Sequence, residues 1–318
     1  MLQYTDDSLA AMLLTVPLSP DREEYAKPFS TSEFRALEAR VKASRFGSLR
    51  NLIEVDVSGV MIYLEITEPE AMRIYTLLNR QVQLMYLLET FDLQGIEAVS
   101  CYDDAYPRRV LRKLDRNAPV FYYRSGNPAL AESKAVAILG VRGVRTSNAV
   151  RKTVAALVRE VTARGYTVVT GGEPGVSRVA ADQVAACGGR LLEVLGGNLS
   201  QRVAQPEFAA LGDHVAAMSL EHPDALFTST HAANRNKLLM SLADAAFIFS
   251  ADGRRGEAEL AQSRLCDWVY VWDARPENQG LINRGAIPFH DISHWDFDAL
   301  SRHWSSSDSE QLNIFDLL

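Results

Sequence analysis

The 318-residue sequence predicts an α/β protein in which a doubly wound parallel sheet follows a mostly helical domain. Two patterns carry that expectation. After Lys134, short apolar runs alternate with amphipathic stretches, the arrangement of parallel strands joined by crossover helices. Before Gly95, apolar residues recur at helical spacing instead. Length agrees, because single cores rarely grow past roughly 250 residues before a chain divides.

Taken in order, Ser32-Glu33-Phe34-Arg35-Ala36-Leu37 opens one helix, and Glu70 to Leu88 forms another with Pro69 just ahead of it. Residues 1–95 show little chemistry and read as a packing or protein-contact domain. Residues 96–134 form a connector with a lead-in strand; CYDDAYPRR, RNAP and RSGNP make it rich in turn residues and bases, and it holds the domain boundary. Residues 135–304 form the sheet domain. Its expected strands are Ala135–Leu139, Tyr166–Thr170, Leu191–Leu195, Val215–Ser219, Ala246–Ser250 and Trp268–Trp272. Helices fall at Asn148–Arg164, Val176–Cys187, about Ala232–Ala243 and Glu257–Cys266. In the first of these, Val150, Val154, Leu157, Val158 and Val161 line one face, and Gly165 stops it.

Composition narrows the function. With 47% hydrophobic and 23% charged residues the chain belongs with ordinary globular proteins. The richest apolar stretch, Ile74 to Phe91, contains Arg80 and Glu89, so no membrane span is expected. The first residues, MLQYTDDSLAAM, put acids where a signal peptide has bases, and a cytoplasmic protein is expected. Cys101, Cys187 and Cys266 lie far apart without a CxxC pair, which disfavours a disulfide framework and a zinc ribbon. No HExxH occurs, and His290-Asp291 with His294 reads as solvated or structural, so no metal is expected.

The net charge of −7 speaks against a protein that coats nucleic acid, but its distribution matters more than its sum. From Ala131 to Gly165, Lys134, Arg142, Arg145, Arg151, Lys152, Arg159 and Arg164 face only Glu132 and Glu160, a local charge of +5. A doubly wound sheet binds ligands at the carboxyl ends of its strands. There the sequence places Gly140-Val141-Arg142-Gly143-Val144-Arg145-Thr146, Thr170-Gly171-Gly172-Glu173-Pro174-Gly175, Gly196-Gly197-Asn198 and Asp252-Gly253-Arg254-Arg255-Gly256-Glu257. Glycine lets backbone amides approach a phosphate, a helix N-terminus adds partial positive charge, and arginine adds a bidentate grip. Glycine also serves tight turns, but four such loops on one edge favour a ligand. None matches GxGxxG with its following acid, or GxxxxGK[ST]. A dinucleotide oxidoreductase and a P-loop nucleotidase are therefore disfavoured, and no cofactor is expected.

These residues resemble the DprA/Smf family of DNA-processing proteins, a branch of the SLOG superfamily with a Rossmann-like domain. GIEAVSCYDDAYPRRVLRKLDRNAPVFYYRSGN is similar to the family's lead-in, VAILGVRGVRTSNA to its first strand and loop, and YTVVTGGEPGVSRVAADQVAACGGRLLEVLGGNL to the next two strand units. RNKLLMSLADAAFIF resembles its Arg-Asn-Arg helix and NQGLINRGA its last helix. The resemblance implies a homodimer that binds single-stranded DNA and helps load the recombinase RecA, without catalysis. It implies that Gly140 and Arg142, with Arg145 and Thr146 of the same loop, take a DNA phosphate. Thr170, Gly171 and Gly172 would line that pocket, with Arg235, Asn236 and Lys237 adding charge and hydrogen bonds from a helix start. Departures are visible. The family's Gly-Ile-Asp is Gly175-Val176-Ser177, the histidine of the next helix is Asp182, Phe-Pro is Ala232-Ala233, Ser-Gly-Ser has become GRRGEAE, and no winged helix follows. Each loss of an aromatic or polar group predicts weaker DNA affinity or another ligand.

Residues 305–318 form a polar stretch ending in QLNIFDLL, with Asp308, Glu310 and Asp316 contributing −3. Gln311, Leu312, Ile314 and Phe315 resemble the Gln-Leu-x-Leu-Phe peptide that docks bacterial sliding clamps, with fold-back onto the body as the alternative. An enzyme reading also stays open. SLOG relatives that hydrolyse nucleotide N-glycosidic bonds place a glutamate near a glycine-rich loop, where Glu257 and Glu259 stand here, but their Pro-Gly-Gly-x-Gly-Thr loop is missing. A non-catalytic nucleotide sensor is the third possibility.

Overall fold

The computed structural model describes residues 4–20, 24–141, 146–251, 265–266 and 268–304. The chain divides into two compact units: Met1–Gly126 with Gly196–Ala209 and Met218–His231, and Asn127–Leu195 with Ala210–Ala217 and Ala232–Leu318.

The first unit opens with α1 (Asp6–Thr15), α2 (Thr31–Ala43), α3 (Val57–Leu64), α4 (Glu68–Leu78) and α5 (Gln81–Asp92). Local chemistry starts them. Ser30 caps α2 while Glu33 reaches back to the Ser30 amide at 2.8 Å, and Glu70 accepts from the Thr67 amide at 2.9 Å ahead of α4. The expected single helix from Glu70 to Leu88 is two helices, broken at Asn79 and Arg80. The break has a tertiary cause. Arg80 is only 8% exposed, and its guanidinium donates to the Leu13 carbonyl at 2.6 and 3.0 Å and to that of Val16 at 2.7 Å, while pairing with Glu24. Leu13, Leu14, Phe34, Val41, Ile74, Leu84 and Phe91 fill the core. What the sequence presents as a connector is ordered: β1 (Glu97–Ser100) pairs antiparallel with β2 (Phe121–Gly126), and α6 (Arg108–Leu114) lies between them.

The second unit holds β3 (Ala135–Gly140), α7 (Asn148–Ala163), β4 (Thr167–Thr170), α8 (Val176–Cys187) and β5 (Arg190–Leu195). It continues with the start of β6 (Val215–Ser219), the helix Ser229–Ser241 from Ala232 onward, β7 (Ala245–Ser250), β8 (Trp268–Trp272) and β9 (Ile287–Phe289). The order is β6-β5-β4-β3-β7-β8-β9. Pairings β3 with β4 and β7, β4 with β5, β7 with β8, and β8 with β9 are all parallel. The chain winds outward from β3 to one side through β4 and β5, then restarts on the other side with β7. That makes β3 the topological switch point, where an open sheet offers its binding crevice.

Burial follows the expected faces. Val150, Val154, Leu157, Val158 and Val161 of α7 are all buried, as is every residue of β4 and β7. On the β7–β9 side the core is aromatic: Phe247 stacks on Tyr270 at 4.7 Å and Phe249 on Trp272 at 5.7 Å. A helix at 297–304 closes over it, and Trp304 packs edge-on against Tyr166 at 5.5 Å while its ring N–H donates to the Tyr270 hydroxyl at 3.3 Å. Among the described residues, no helix is long and apolar enough to cross a membrane.

Candidate phosphate site at the sheet edge

The glycine-bearing ends of β3 and β4 lie side by side at the carboxyl edge of the second unit's sheet. Gly140 ends β3 at a register shift against β7. A Cβ there would meet Val176 of α8 at 2.8 Å and the Ser250 hydroxyl at 3.1 Å, so only glycine lets the strand end pass so close to the first turn of α8. Ser250 fixes the following turn by accepting the Val141 amide at 2.9 Å. Thr146 is partly exposed and stands just ahead of Ser147, which caps α7 by accepting the Val150 amide at 3.3 Å. Arg142 and Arg145 lie outside the described residues.

After β4 the backbone turns through Gly172 at φ +75° and Gly175 at φ +120°, conformations that favour glycine. The second turn delivers the chain into α8, whose first amides have no partner within the helix. Those N–H groups and the helix dipole make this end of the sheet favourable for an anion. Thr170 is fully buried, and its hydroxyl has no hydrogen-bond partner. Asn236 also has an unpartnered buried side-chain oxygen. Such atoms cost free energy unless a ligand or water answers them.

Beneath Gly171 lies an ion pair. Arg235 is 4% exposed and pairs with Glu173, which is 8% exposed. The guanidinium also donates to the carbonyl of Val194 on β5 and, at 3.2 Å, to that of Ala232. Burial lowers the pKa of Arg235, and Glu173 opposes that shift. A Cβ on Gly171 would overlap both members of the pair. A second buried carboxylate, Glu193 on β5, lies under Gly172. On the β7–β8 side Asn278 is wholly buried and ties the strand ends together: its amide donates to the carbonyls of Trp272 at 2.6 Å and Phe249 at 3.3 Å, and its oxygen accepts the Ala251 amide at 2.8 Å.

The structure therefore gathers Gly140, Thr170, Gly171 and Gly172 on one edge and sorts the remaining candidates. The helix bearing Arg235, Asn236 and Lys237 begins at Ser229, so the three are its seventh to ninth residues, in its second and third turns and not at its start. Arg235 turns inward, and Lys237 is exposed. The basic segment is also less concentrated than its sum. α7 is 16 residues and roughly 24 Å long; Arg151 and Lys152 are exposed near its start, while Arg164, at the far end, pairs with Glu160 and Asp298 at 2.7 Å each. Glu173, Glu193, Ser250 and Asn278 are the site residues that sequence reasoning missed. An acid inside a glycine loop was the one available signal. Glu257, Glu259 and the peptide Gln311, Leu312, Ile314 and Phe315 lie outside the described residues. No cluster of three or more His, Cys, Asp or Glu suited to a metal occurs among the described residues; His290 instead stacks on Trp272 at 5.1 Å and bonds Asp273 at 2.9 Å.

The family model described as DNA recombination-mediator protein A matches residues 97–286, more than half of the chain. The chain belongs to this family. Its fold resembles that of DNA processing protein A from Streptococcus pneumoniae, with a TM-score of 0.62 at 17% identity over 91% of this chain and 96% of that one. DNA processing protein A from Helicobacter pylori, solved for its single-stranded DNA binding mode, superposes with a TM-score of 0.51 at 20% identity over 65% of this chain and 96% of its own. At these identities the likeness is one of fold. No curated protein matches the sequence. The family's matched segment contains both glycine-bearing strand ends and Arg235.

Proposed function

We propose that the protein binds single-stranded DNA through the carboxyl edge of the second unit and acts as a homodimeric recombination mediator that passes the strand to RecA. The observation that carries this reading is the convergence of Gly140 and Thr170–Gly172 at the switch point of a sheet that belongs to the mediator family. One phosphate would meet the backbone amides after β4 and the first turn of α8, with Thr170 donating its unspent hydroxyl. Arg142, Arg145, Arg151, Lys152 and Lys237 would supply the positive field along the strand. The single-stranded DNA binding mode of the H. pylori protein supports the choice of ligand.

A titration of oligothymidine across salt tests the proposal. Each neutralised phosphate should contribute about −0.7 to the slope of log K against log salt, and Arg142→Ala should lower both affinity and slope without changing base preference. Absence of binding at low salt would overturn it. Tight binding of a nucleoside monophosphate instead would reassign the edge to a nucleotide, and release of free base, abolished by Glu259→Gln, would make it a hydrolase.

The tail forms the second half of the proposal: Gln311, Leu312, Ile314 and Phe315 dock a sliding clamp. Trp304, the residue before the tail, is anchored beside Tyr166, which immediately precedes β4. Deletion of 311–318 should abolish co-elution with the clamp and leave DNA binding intact; unchanged co-elution would sink the tail assignment.

A further inference from the structure

We infer that Arg235 is a positioning residue that, together with Glu173, sets the shape of the amide cradle and makes no phosphate contact of its own. The inference rests on the DNA-binding reading above and gives one of its cations a different task. Three observations lead to it. Arg235 is 4% exposed, and its hydrogen bonds go to Glu173 after β4, to the Val194 carbonyl on β5 and to the Ala232 carbonyl of its own helix. Its charge is answered by a carboxylate that is itself 8% exposed. Finally, the backbone of Gly171 lies so close over the pair that a single methyl group there would overlap both partners.

A residue that grips a phosphate must present its N–H groups outward, where a diffusing strand reaches them. Arg235 does the reverse. The planar fork fixes the distance between the loop after β4 and the end of β5, which a lysine, with one point of charge, does not reproduce. Glu173 is then needed for binding although it carries the wrong sign for it.

Opposite signs make the test decisive. Removing a carboxylate beside a phosphate site should strengthen DNA binding if charge alone matters, and weaken it if the carboxylate holds the cradle. Oligothymidine is titrated across salt against the full chain, Glu173→Gln, Arg235→Lys and Arg235→Gln, each checked for a native circular-dichroism spectrum. We expect Glu173→Gln to lose about tenfold in affinity at every salt concentration, the order expected when a buried partner is left unanswered. The salt slope should stay unchanged in all three variants. A gain in affinity for Glu173→Gln, or a slope reduced by about 0.7 in Arg235→Gln, which unlike Arg235→Lys removes the charge, would overturn the inference, because the latter is the loss of one phosphate contact. Hydrogen exchange of the Gly171 and Gly172 amides provides a reading free of DNA: it should quicken in Glu173→Gln, and unchanged protection would also overturn the inference. If the wild-type chain bound no oligothymidine while those amides were still released, the DNA reading would fail and the positioning role would stand.

Discussion

Two buried arginines, one in each unit, use the same chemistry to different ends. Arg80 and Arg235 are 8% and 4% exposed, each pairs with a glutamate, and each spends further donors on backbone carbonyls. Apart from its pairing with Glu24, Arg80 serves one helix end. Its carbonyl partners, Leu13 and Val16, belong to the last turn and C-cap of α1, where a cation also meets the negative end of the helix dipole. Arg235 instead lies beneath Gly171, which follows Thr170 and its buried, unpartnered hydroxyl. The difference between the two pairs is therefore what lies over them: a helix end for Arg80, a glycine turn beside an unanswered buried hydroxyl for Arg235.

The largest expected effect tests that distinction directly. Arg80→Met strands Glu24 in a half-dry site and should cost about 3–5 kcal/mol, the usual penalty for breaking a buried pair from one side. Chemical denaturation would measure it, and oligothymidine binding below the transition should match the wild type. Arg235→Met should cost a similar amount and also lose DNA affinity. Equal binding losses in the two variants would erase the contrast.

Glycine gives the next comparison. Gly171→Ala forces a methyl into the guanidinium–carboxylate pair and should destabilise by about 1–3 kcal/mol, with DNA binding lost beyond the stability effect. Gly188 ends α8 at φ +63° with nothing near its missing Cβ. Gly188→Ala should cost only about 1 kcal/mol from backbone strain, and binding should be unaffected.

The contrast also explains what was legible in the sequence. The sheet could be read because each of its longer strands is a short apolar run: Val215–Ser219 and Trp268–Trp272 fall where expected, and Val176–Cys187 is the helix its pattern predicts. β9 escaped notice because three residues containing Pro288 are too short to show alternation. The two arginines were opaque for one reason. Arg80 sits in an apolar helical pattern without glycine or proline, and the carbonyls that break the helix there are 64 and 67 positions away. Glu173 and Arg235 are 62 apart, so nothing local couples them. Gly140 and Thr170–Gly172 are placed by strand ends alone, and for that reason their location was readable while the support beneath them was not. The helix bearing Arg235 starts at Ser229, three residues before the Ala232 that its pattern suggests, and from the later start an inward arginine reads as a surface cation.

Away from both pairs, partly exposed carboxylates should matter less. Glu33 accepts from Arg73 at 3.0 Å and from the Ser30 amide and hydroxyl, which together pull its pKa from 4.5 to about 2. Its folded pKa is depressed, so its contribution is full above pH 4.5 and disappears as pH falls toward 2. Acid unfolding of Glu33→Gln should therefore be flatter across that window, and an unchanged acid limb would show that the cap does not form in solution. Ser30→Ala should cost about 1 kcal/mol at neutral pH.

The smallest effect concerns Arg164 and Asp298, which link the end of α7 to the helix at 297–304. Asp298 is 71% exposed at its side chain, and Arg164 already has Glu160 at 2.7 Å, so solvent screens the outer bond and a second acid stands ready. Asp298→Asn should change stability by no more than about 0.5 kcal/mol. The helix is held chiefly by Trp304, buried against Tyr166 and bonded to Tyr270, and Trp304→Ala should release it where Asp298→Asn does not. Limited proteolysis at 297–304 separates the two. If Asp298→Asn loosened the helix as much as Trp304→Ala, the charge and not the indole would be its anchor, and the tail that follows would then be rooted by a salt-sensitive contact.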